Sequence, residues 1–242
     1  MLTRFIYIAA FSLLSTTFFS CNSARRVPEG RYLLNRNRIV IEDAEIQRSE
    51  LTTYIRQRPN RRILGMFRFH LHVYNLADGG RSNRITRWMK NTIGEPPVLY
   101  DPAMSQNTMR QFELYMHSKG YFNAQISFEE KTRNNNKASI IYSIKGNTPY
   151  YVNQISYTIP DPYLQGFVLK DSLNTTLSPN MRYDAEALHE ERNRITRNLR
   201  NDGYYRFSRD FIFFQVDSAL NNHRVNIEMR INNPVGNVAG FR

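Results

Sequence analysis

His70 and His72 flank Leu71. If the stretch "FRFHLHVYNL" (67–76) is a strand, its period of two puts both imidazoles on one face, which is the beginning of a metal site. No Cys, Asp or Glu stands close enough in the sequence to complete it, and the expected reading is a surface pair. His117, His189 and His223 are isolated, with no nucleophile in context. "HEER" (189–192) lacks the second histidine of a metalloprotease helix, and no Gly-rich loop precedes Lys145-Gly146. Neither G-x-S-x-G nor a paired-carboxylate pattern occurs. These residues point away from catalysis: no enzyme, no cofactor and no metal are expected.

The remaining chemistry is charge. The chain carries a net charge of +12 over 242 residues, and Arg56, Arg58, Arg61, Arg62 and Arg68 form its densest positive patch. Such a patch suits an anionic neighbour: a lipid surface, an acidic partner or a nucleic acid. The plainer reading is a solvated helix end and turn. Hydrophobic residues at 41% and aromatics at 13% are enough for packed cores, so wholesale disorder is not expected.

The single cysteine, Cys21, excludes an intrachain disulfide. It follows "MLTRFIYIAAFSLLSTTFFS", in which Arg4 precedes an apolar run from Phe5 to Phe19 and small Ser20 stands next to the cysteine. That run is of signal-peptide length and short for a membrane span. It resembles a bacterial lipoprotein signal, although Phe18 and Phe19 stand where aliphatic and small residues are usual. The resemblance implies a signal peptide over 1–20 and lipidation of Cys21. An ordinary cleaved signal or an uncleaved anchor is the alternative. All place the rest of the chain outside the cytoplasm, so no nucleic acid is expected as a partner. Arg25 and Arg26 would then lie near the headgroup plane. The lipoprotein resemblance implies a periplasm-facing anchor, because the acidic residues usual at that point in surface-exported lipoproteins of Bacteroidetes-like bacteria are absent.

The elements that must position this chemistry repeat. Shifted by 83 residues, Tyr100-Asp101 falls on Tyr183-Asp184 and Gly120-Tyr121 on Gly203-Tyr204. Asn91-Thr92 falls on Asn174-Thr175, Pro96 on Pro179, Phe128 on Phe211, Tyr74 on Tyr157 and Asp78 on Asp161. The register then slips by four, so that "ASIIYSI" (138–144) matches "VNIEMRI" (225–231), with the extra residues expected in a hairpin loop. A period this long means tandem domains rather than a solenoid.

Each unit reads as strand–helix–helix–strand–strand. The opening strands are 67–76 and 150–159, followed by short helices at 82–94 and 164–176, each stopped by a proline. Asp101 and Asp184 are expected N-caps of longer helices. Those helices bury Met109, Phe112 and Met116, or Leu188, Ile195 and Leu199, at spacings of three, four and seven. Gly120 and Gly203 end them in the left-handed conformation. Strands follow: Phe122, Ala124, Ile126 and Phe128 share a face in one, Phe211 and Phe213 in the other, with Phe207 at its start. Closing strands carry Ile140, Tyr142 and Ile144, or Val225, Ile227, Met229 and Ile231. The fold class is α+β, with helices on one face of small mixed sheets. Residues 28–65 stand outside the repeat. "RIVIED" reads as a strand and "SELTTYIRQR" as a helix capped by Ser49. They form either a shortened unit, which is the expectation, or the true opening of the first unit with 66–95 inserted.

This order resembles tandem POTRA domains. With "CNSARRVPEGRYLLNRNRIVIE", "YIRQRPNRRILG", "IGEPPVLYD" and "GYFNA", residues 21–235 resemble the periplasmic arm of the BamA/TamA family of outer-membrane assembly factors, of the lipoprotein type found in Bacteroidetes-like bacteria. The resemblance implies a signal at 1–20, a linker and shortened unit at 21–65, POTRA-like domains at 66–149 and 150–235, and a tail at 236–242. The family's C-terminal β-barrel needs at least eight strands. Residues 236–242 supply none, so the arm is expected either as part of a longer product or alone. The resemblance further implies a non-enzymatic factor at the periplasmic face of the outer membrane, held by lipid at Cys21. Its partners would be nascent outer-membrane proteins, assembly accessory proteins and a β-barrel in its own or a separate chain. Clients would add a strand to a sheet edge, with Phe122, Ala124, Ile126, Phe128, Phe207, Phe211 and Phe213 as the candidate edge residues. The alternative is a free-standing docking lipoprotein that orients a separate barrel without touching clients.

Overall fold

"KASIIYSIK" and "RVNIEMRI" alternate apolar and polar residues, and that period of two decides where the cores lie. The computed structural model describes residues 24, 27–65, 67–80, 82–133, 135–220 and 222–232. The signal, Cys21, Arg25, Arg26 and the tail at 236–242 lie outside them.

The strands are β1 (Leu33–Glu42), β2 (Gln125–Arg133), β3 (Lys137–Lys145), β4 (Tyr151–Thr158), β5 (Ile212–Asp217) and β6 (Arg224–Ile231). The helices are α1 (Arg48–Thr52), α2 (Phe69–Asp78), α3 (Arg84–Trp88), α4 (Pro102–Ser118), α5 (Pro162–Lys170) and α6 (Ala185–Asn201). Two three-stranded sheets form, in the orders β1-β3-β2 and β4-β6-β5. The closing strand of each is therefore central. The second sheet is mixed: β4 pairs parallel to β6 from Tyr151↔Arg224 to Thr158↔Arg230, and β5 pairs antiparallel to it from Ile212↔Ile231 to Asp217↔Asn226. The architecture is α+β, strand–helices–strand–strand, twice over.

Chain contacts gather into two compact units. The first holds the described residues up to Val40, Tyr54–Met109 and Ser127–Ser143; the second holds Ile41–Thr53, Arg110–Ile126 and the described residues from Ile144 on. In the first unit, Ala138, Ile140 and Tyr142 of β3 are buried, and so are Leu33, Leu34 and Ile39 of β1. In the second, Val225, Ile227, Met229 and Ile231 of β6 are buried along one face. Met229 and Ile231 share a cluster with Leu164 and Val168 of α5, Ile195 and Leu199 of α6, and Ile212 of β5. Val225 and Ile227 share another with Leu188 of α6. Each such side chain contributes about 1.5–3 kcal/mol by leaving water. Phe112 and Met116 of α4 are likewise buried, whereas Met109 is only half-buried.

The structure departs from expectation at the start of the chain. Residues 67–76, expected as a strand, lie mostly in α2, which buries Leu71 and Ala77. The strand that opens the first sheet is β1, drawn from the segment expected as a shortened unit. Alternation over a few apolar residues does not separate a short helix from a strand, and here tertiary burial settles the choice. Matching Tyr74 to Tyr157 and Asp78 to Asp161 is therefore coincidence. Tyr74 is helical while Tyr157 lies in β4, and Asp78 ends α2 while Asp161 caps α5 with bonds from Tyr163 and Leu164 amides. α1 is only five residues long and begins after Gln47, without the side-chain cap expected from Ser49.

Candidate functional site

The repeated "GY" turns come first, because they deliver the chain to its edge strands. Asp101 and Asp184 each accept from the amide two residues on, Ala103 and Glu186, both at 2.9 Å. The helices they begin each run 17 residues. Both helices then stop in the same way. Gly120 N–H donates to His117 O (3.0 Å) and Tyr121 N–H to Met116 O (2.9 Å). Gly203 N–H donates to Arg200 O (3.2 Å) and Tyr204 N–H to Leu199 O (3.0 Å). These are paired Schellman caps, with glycine at the left-handed position, φ +85° and +96°. Tyr121 and Tyr204 are buried over the helix ends.

After each cap the chain enters an outer strand, β2 or β5. In β2, Ile126 and Phe128 are half-buried and alternate with exposed Gln125, Ser127 and Glu129. Ala124 is half-buried just ahead of the strand. Phe122 is not in the strand. It sits in the turn and packs edge-on to Tyr150 (5.0 Å) and against Tyr183 (5.2 Å).

The second unit departs further. Phe207 is fully buried in the core, and Phe211 lies in a 3-10 turn, Arg209–Phe211, packed against that core. The turn precedes β5, so the register slips before the strand as well as at the hairpin. Phase is thereby reversed: Ile212, Phe214 and Val216 face inward and Phe213 faces solvent. Phe211 and Phe213 do not share a strand face.

The opening strands, also outermost in their sheets, have partly occupied edges. Leu33 of β1 bridges to Leu99, and Leu34 N–H donates to Val98 O (2.8 Å). Tyr151 of β4 bridges to Arg182, and Val152 N–H donates to Met181 O (2.8 Å). Leu99 and Arg182 are 83 residues apart, so the repeat covers both strands in the same way. No equivalent bridge is seen on the outer edges of β2 and β5 among the described residues.

The arginine patch separates into different roles. Arg56 and Arg58 are exposed, and Arg61 pairs loosely with Glu95 at 3.8 Å. Arg62 and Arg68 instead converge on Asn35 of β1. Arg68 Nη2 donates to its main-chain oxygen (2.6 Å) and Oδ1 (3.0 Å), and Arg62 Nη2 to the same two atoms (3.0 and 3.2 Å). Asn35 is held in turn by its Nδ2 bond to Ser139 of β3 (3.2 Å). Burial and then the Arg62 charge bring the Arg68 guanidinium down to about 10, against a partial offset from Glu95. Burial and then Arg68, Arg133 and Arg62 also lower Lys137. Asn35 and Lys137 went unnoticed in the sequence, since β1 was not assigned to this sheet and nothing local ties them to the patch.

His70 and His72 lie on α2, not on one strand face. His70 Nδ1 contacts Ile93 O (2.8 Å), and His72 stacks on Phe67 at 4.7 Å. No metal-holding cluster of three ligands occurs among the described residues. A shallow groove of about 460 Å³ in the second unit is lined by Asn193, Arg197, Arg200, Ser208 and Arg209, a further basic feature. Among the described residues no helix is long and apolar enough to cross a membrane.

No family model and no curated protein matches the chain. Among solved structures, it is similar to POTRA3-5 of BamA from Haemophilus influenzae, at 14% identity, covering 86% of this chain and 69% of that one, with a TM-score of 0.43. POTRA1-2 of the periplasmic domain of Omp85 from Anabaena overlaps 84% of this chain and 96% of its own at 14% identity, TM-score 0.35. CdiB from Escherichia coli overlaps 87% of this chain and 29% of its own at 6% identity, TM-score 0.32.

Proposed function

We propose that this chain is a non-enzymatic, POTRA-type periplasmic arm of an outer-membrane protein assembly or translocation factor. It receives nascent outer-membrane proteins or accessory proteins as an added strand on β2 or β5. The observation that carries this reading is the asymmetry of the sheet edges. The outer edges of β1 and β4 are partly capped by 98–100 and 180–183, whereas β2 and β5 have no such bridge among the described residues. An edge strand presents every second N–H and C=O outward, so it bonds an extended segment with little regard to its side chains. Two such edges in one chain raise the effective concentration of a weakly held client.

The proposed domains follow the sheets, the first running from β1 to β3 and the second from β4 to β6. Lipidation at Cys21 and an anchor on the periplasmic face of the outer membrane belong to the same proposal, as does a β-barrel partner in this chain or another. Within the proposed edge, Ala124, Ile126, Phe128 and Phe213 stay as strand or strand-adjacent residues, while Phe122, Phe207 and Phe211 support the turns and core.

The test is amide exchange of the full chain with and without an excess of unfolded peptide copying an alternating ten-residue barrel strand. Slowed exchange at alternate residues within 125–133 or 212–217, with 224–231 unchanged, supports strand addition. Binding of a detergent-solubilised barrel without any slowing by the strand peptide overturns it and leaves a docking scaffold that touches no client.

A further inference from the structure

The strongest unassigned feature is the segment "RRILGMFRF", in which apolar residues are bracketed by arginines. Ile63 and Phe67 close a small hairpin with both main-chain bonds, Ile63 N–H to Phe67 O at 2.7 Å and Phe67 N–H to Ile63 O at 3.2 Å. At its turn Leu64 stands 88% exposed at φ +52°, followed by Gly65 at φ +72°. A γ-branched apolar residue in the left-handed region gains nothing locally, since Asn or Gly fits that backbone better. Ile63 is 45% exposed and Phe67 38%, with exposed Phe69 close by at 6.5 Å between rings. Three large apolar side chains of this turn, with Phe69 at the start of α2 beside them, are therefore partly or wholly exposed together, which is more than scattered surface apolar residues explain.

The base of this hairpin is cationic. Arg62 precedes it and donates from Nη1 to Gly65 O (3.5 Å), and Arg68 follows it. Both guanidiniums share the Asn35 oxygens, where neither meets a carboxylate. Arg68 is 6% exposed, and its Nε has no hydrogen-bond partner among the described residues. Lys137, two residues before the Ser139 of β3 that accepts from Asn35, adds positive charge with Arg133, while the nearby Glu95 carboxylate already accepts from the Arg61 amide. Arg62, Arg68 and Lys137 thus gather like charges at the hairpin base with no carboxylate bonded to them among the described residues, which favours an anion at their exposed side.

We propose that the Ile63–Phe67 hairpin and the Arg62–Arg68–Lys137 cluster form a docking site for a phosphate-bearing lipid surface. Ile63, Leu64 and Phe67 enter the boundary between headgroups and acyl chains. Arg62 and Lys137 take a headgroup phosphate at the level of the hairpin base, and buried Arg68 adds its positive charge from behind them. The two halves support each other. An acidic protein would satisfy the cations yet leave Leu64 in water, and an apolar protein groove would bury Leu64 against uncompensated charge. A surface whose anionic layer covers an apolar one matches both, in this order of depth. The proposal stands apart from strand addition and survives its failure.

The test uses the full chain with Cys21→Ser and a single new cysteine, Leu64→Cys, carrying an environment-sensitive fluorophore. Vesicles contain phosphatidylcholine alone or with about a third phosphatidylglycerol, and a quencher on the lipid acyl chain. Quenching at position 64 that requires phosphatidylglycerol and weakens at high salt is the expected result. Arg62→Gln or Lys137→Gln should lower the docked-to-undocked ratio about fivefold each. These two carry the test, because Arg68→Gln alters a buried group that the fold uses. A fluorophore at Tyr163→Cys, an exposed position in the second unit, should stay unquenched. Equal quenching with and without phosphatidylglycerol, or unchanged quenching in Arg62→Gln and Lys137→Gln, overturns the proposal. So does equal quenching at position 163.

Discussion

Gly120 lies so close to Tyr183 that a Cβ built on it would stand 2.8 Å from the Tyr183 carbonyl oxygen and 3.3 Å from that of Tyr150. Its own carbonyl accepts from the Tyr150 amide at 2.8 Å, and the Tyr183 amide donates to Tyr150 O at 2.9 Å. A Cβ on Gly203, its counterpart in the repeat, would meet nothing within 4 Å among the described residues. The same local motif thus carries different tertiary duties: one glycine only ends a helix, while the other also lets a second stretch of backbone pass against it.

Both glycines occupy positive φ, so alanine is strained at either. Gly203→Ala should lower stability by roughly 1–2 kcal/mol, the cost of a left-handed L-residue. Gly120→Ala adds a contact no real Cβ tolerates, against main-chain atoms that cannot swing away. It should cost at least about 3 kcal/mol. Urea midpoints of the two variants check this, and equal losses would mean that the chain relaxes freely around Gly120.

Asp184 serves two groups at once. Its carboxylate caps α6 through the Glu186 amide at 2.9 Å and holds Lys119 Nζ at 2.9 Å. Asn caps as well as Asp but carries no charge. Asp184→Asn should therefore cost only the ion pair, under about 1 kcal/mol for partly exposed groups. Asp184→Ala loses the cap too and should cost about 1–2 kcal/mol. Lys119→Met in each background separates the terms: it should matter in the wild type and be silent beside Asp184→Asn.

Outside β5, the second sheet was legible residue by residue. Asp184, the Leu188–Ile195–Leu199 stripe, Gly203 and the alternation of β6 are local signals that agree with the tertiary packing, which is why reading them in order works. The first sheet was not. Its opening strand is separated from the repeat by the segment containing α2 and α3, and "FRFHLHVYNL" carries aromatic and β-branched residues that suit a strand as well as a short helix. α2 even starts without a side-chain cap. Strand phase in β5 failed for a different reason: the 3-10 turn at Arg209–Phe211 reverses every side chain after it, as a one-residue slip does. The Arg62–Arg68 convergence is a product of long-range contact with Asn35, and no spacing within the patch encodes it.

Acid should unfold the second unit through Glu191 and Asp171. Glu191 is 1% exposed, and burial pushes its carboxyl up. Two bonds from Arg194 (2.8 and 2.9 Å) and one from the Thr176 amide (3.0 Å) outweigh that, leaving it below the usual range. Asp171 is held low by the Asn174 amide group first, with Asn198 and Arg194 assisting against burial. Both folded values lie beneath the unfolded ones, near 4.5 and 3.8. Their stabilisation is therefore complete above pH of about 4.5 and drains away as pH falls through the depressed folded values. Glu191→Gln keeps the shape but strips Arg194 of one buried partner, and should cost at least about 2 kcal/mol at pH 7. Thermal midpoints measured from pH 7 down to 3 should show the wild type falling steeply below pH of about 4.5 and Glu191→Gln starting lower but falling less. Parallel curves would remove Glu191 from the acid response.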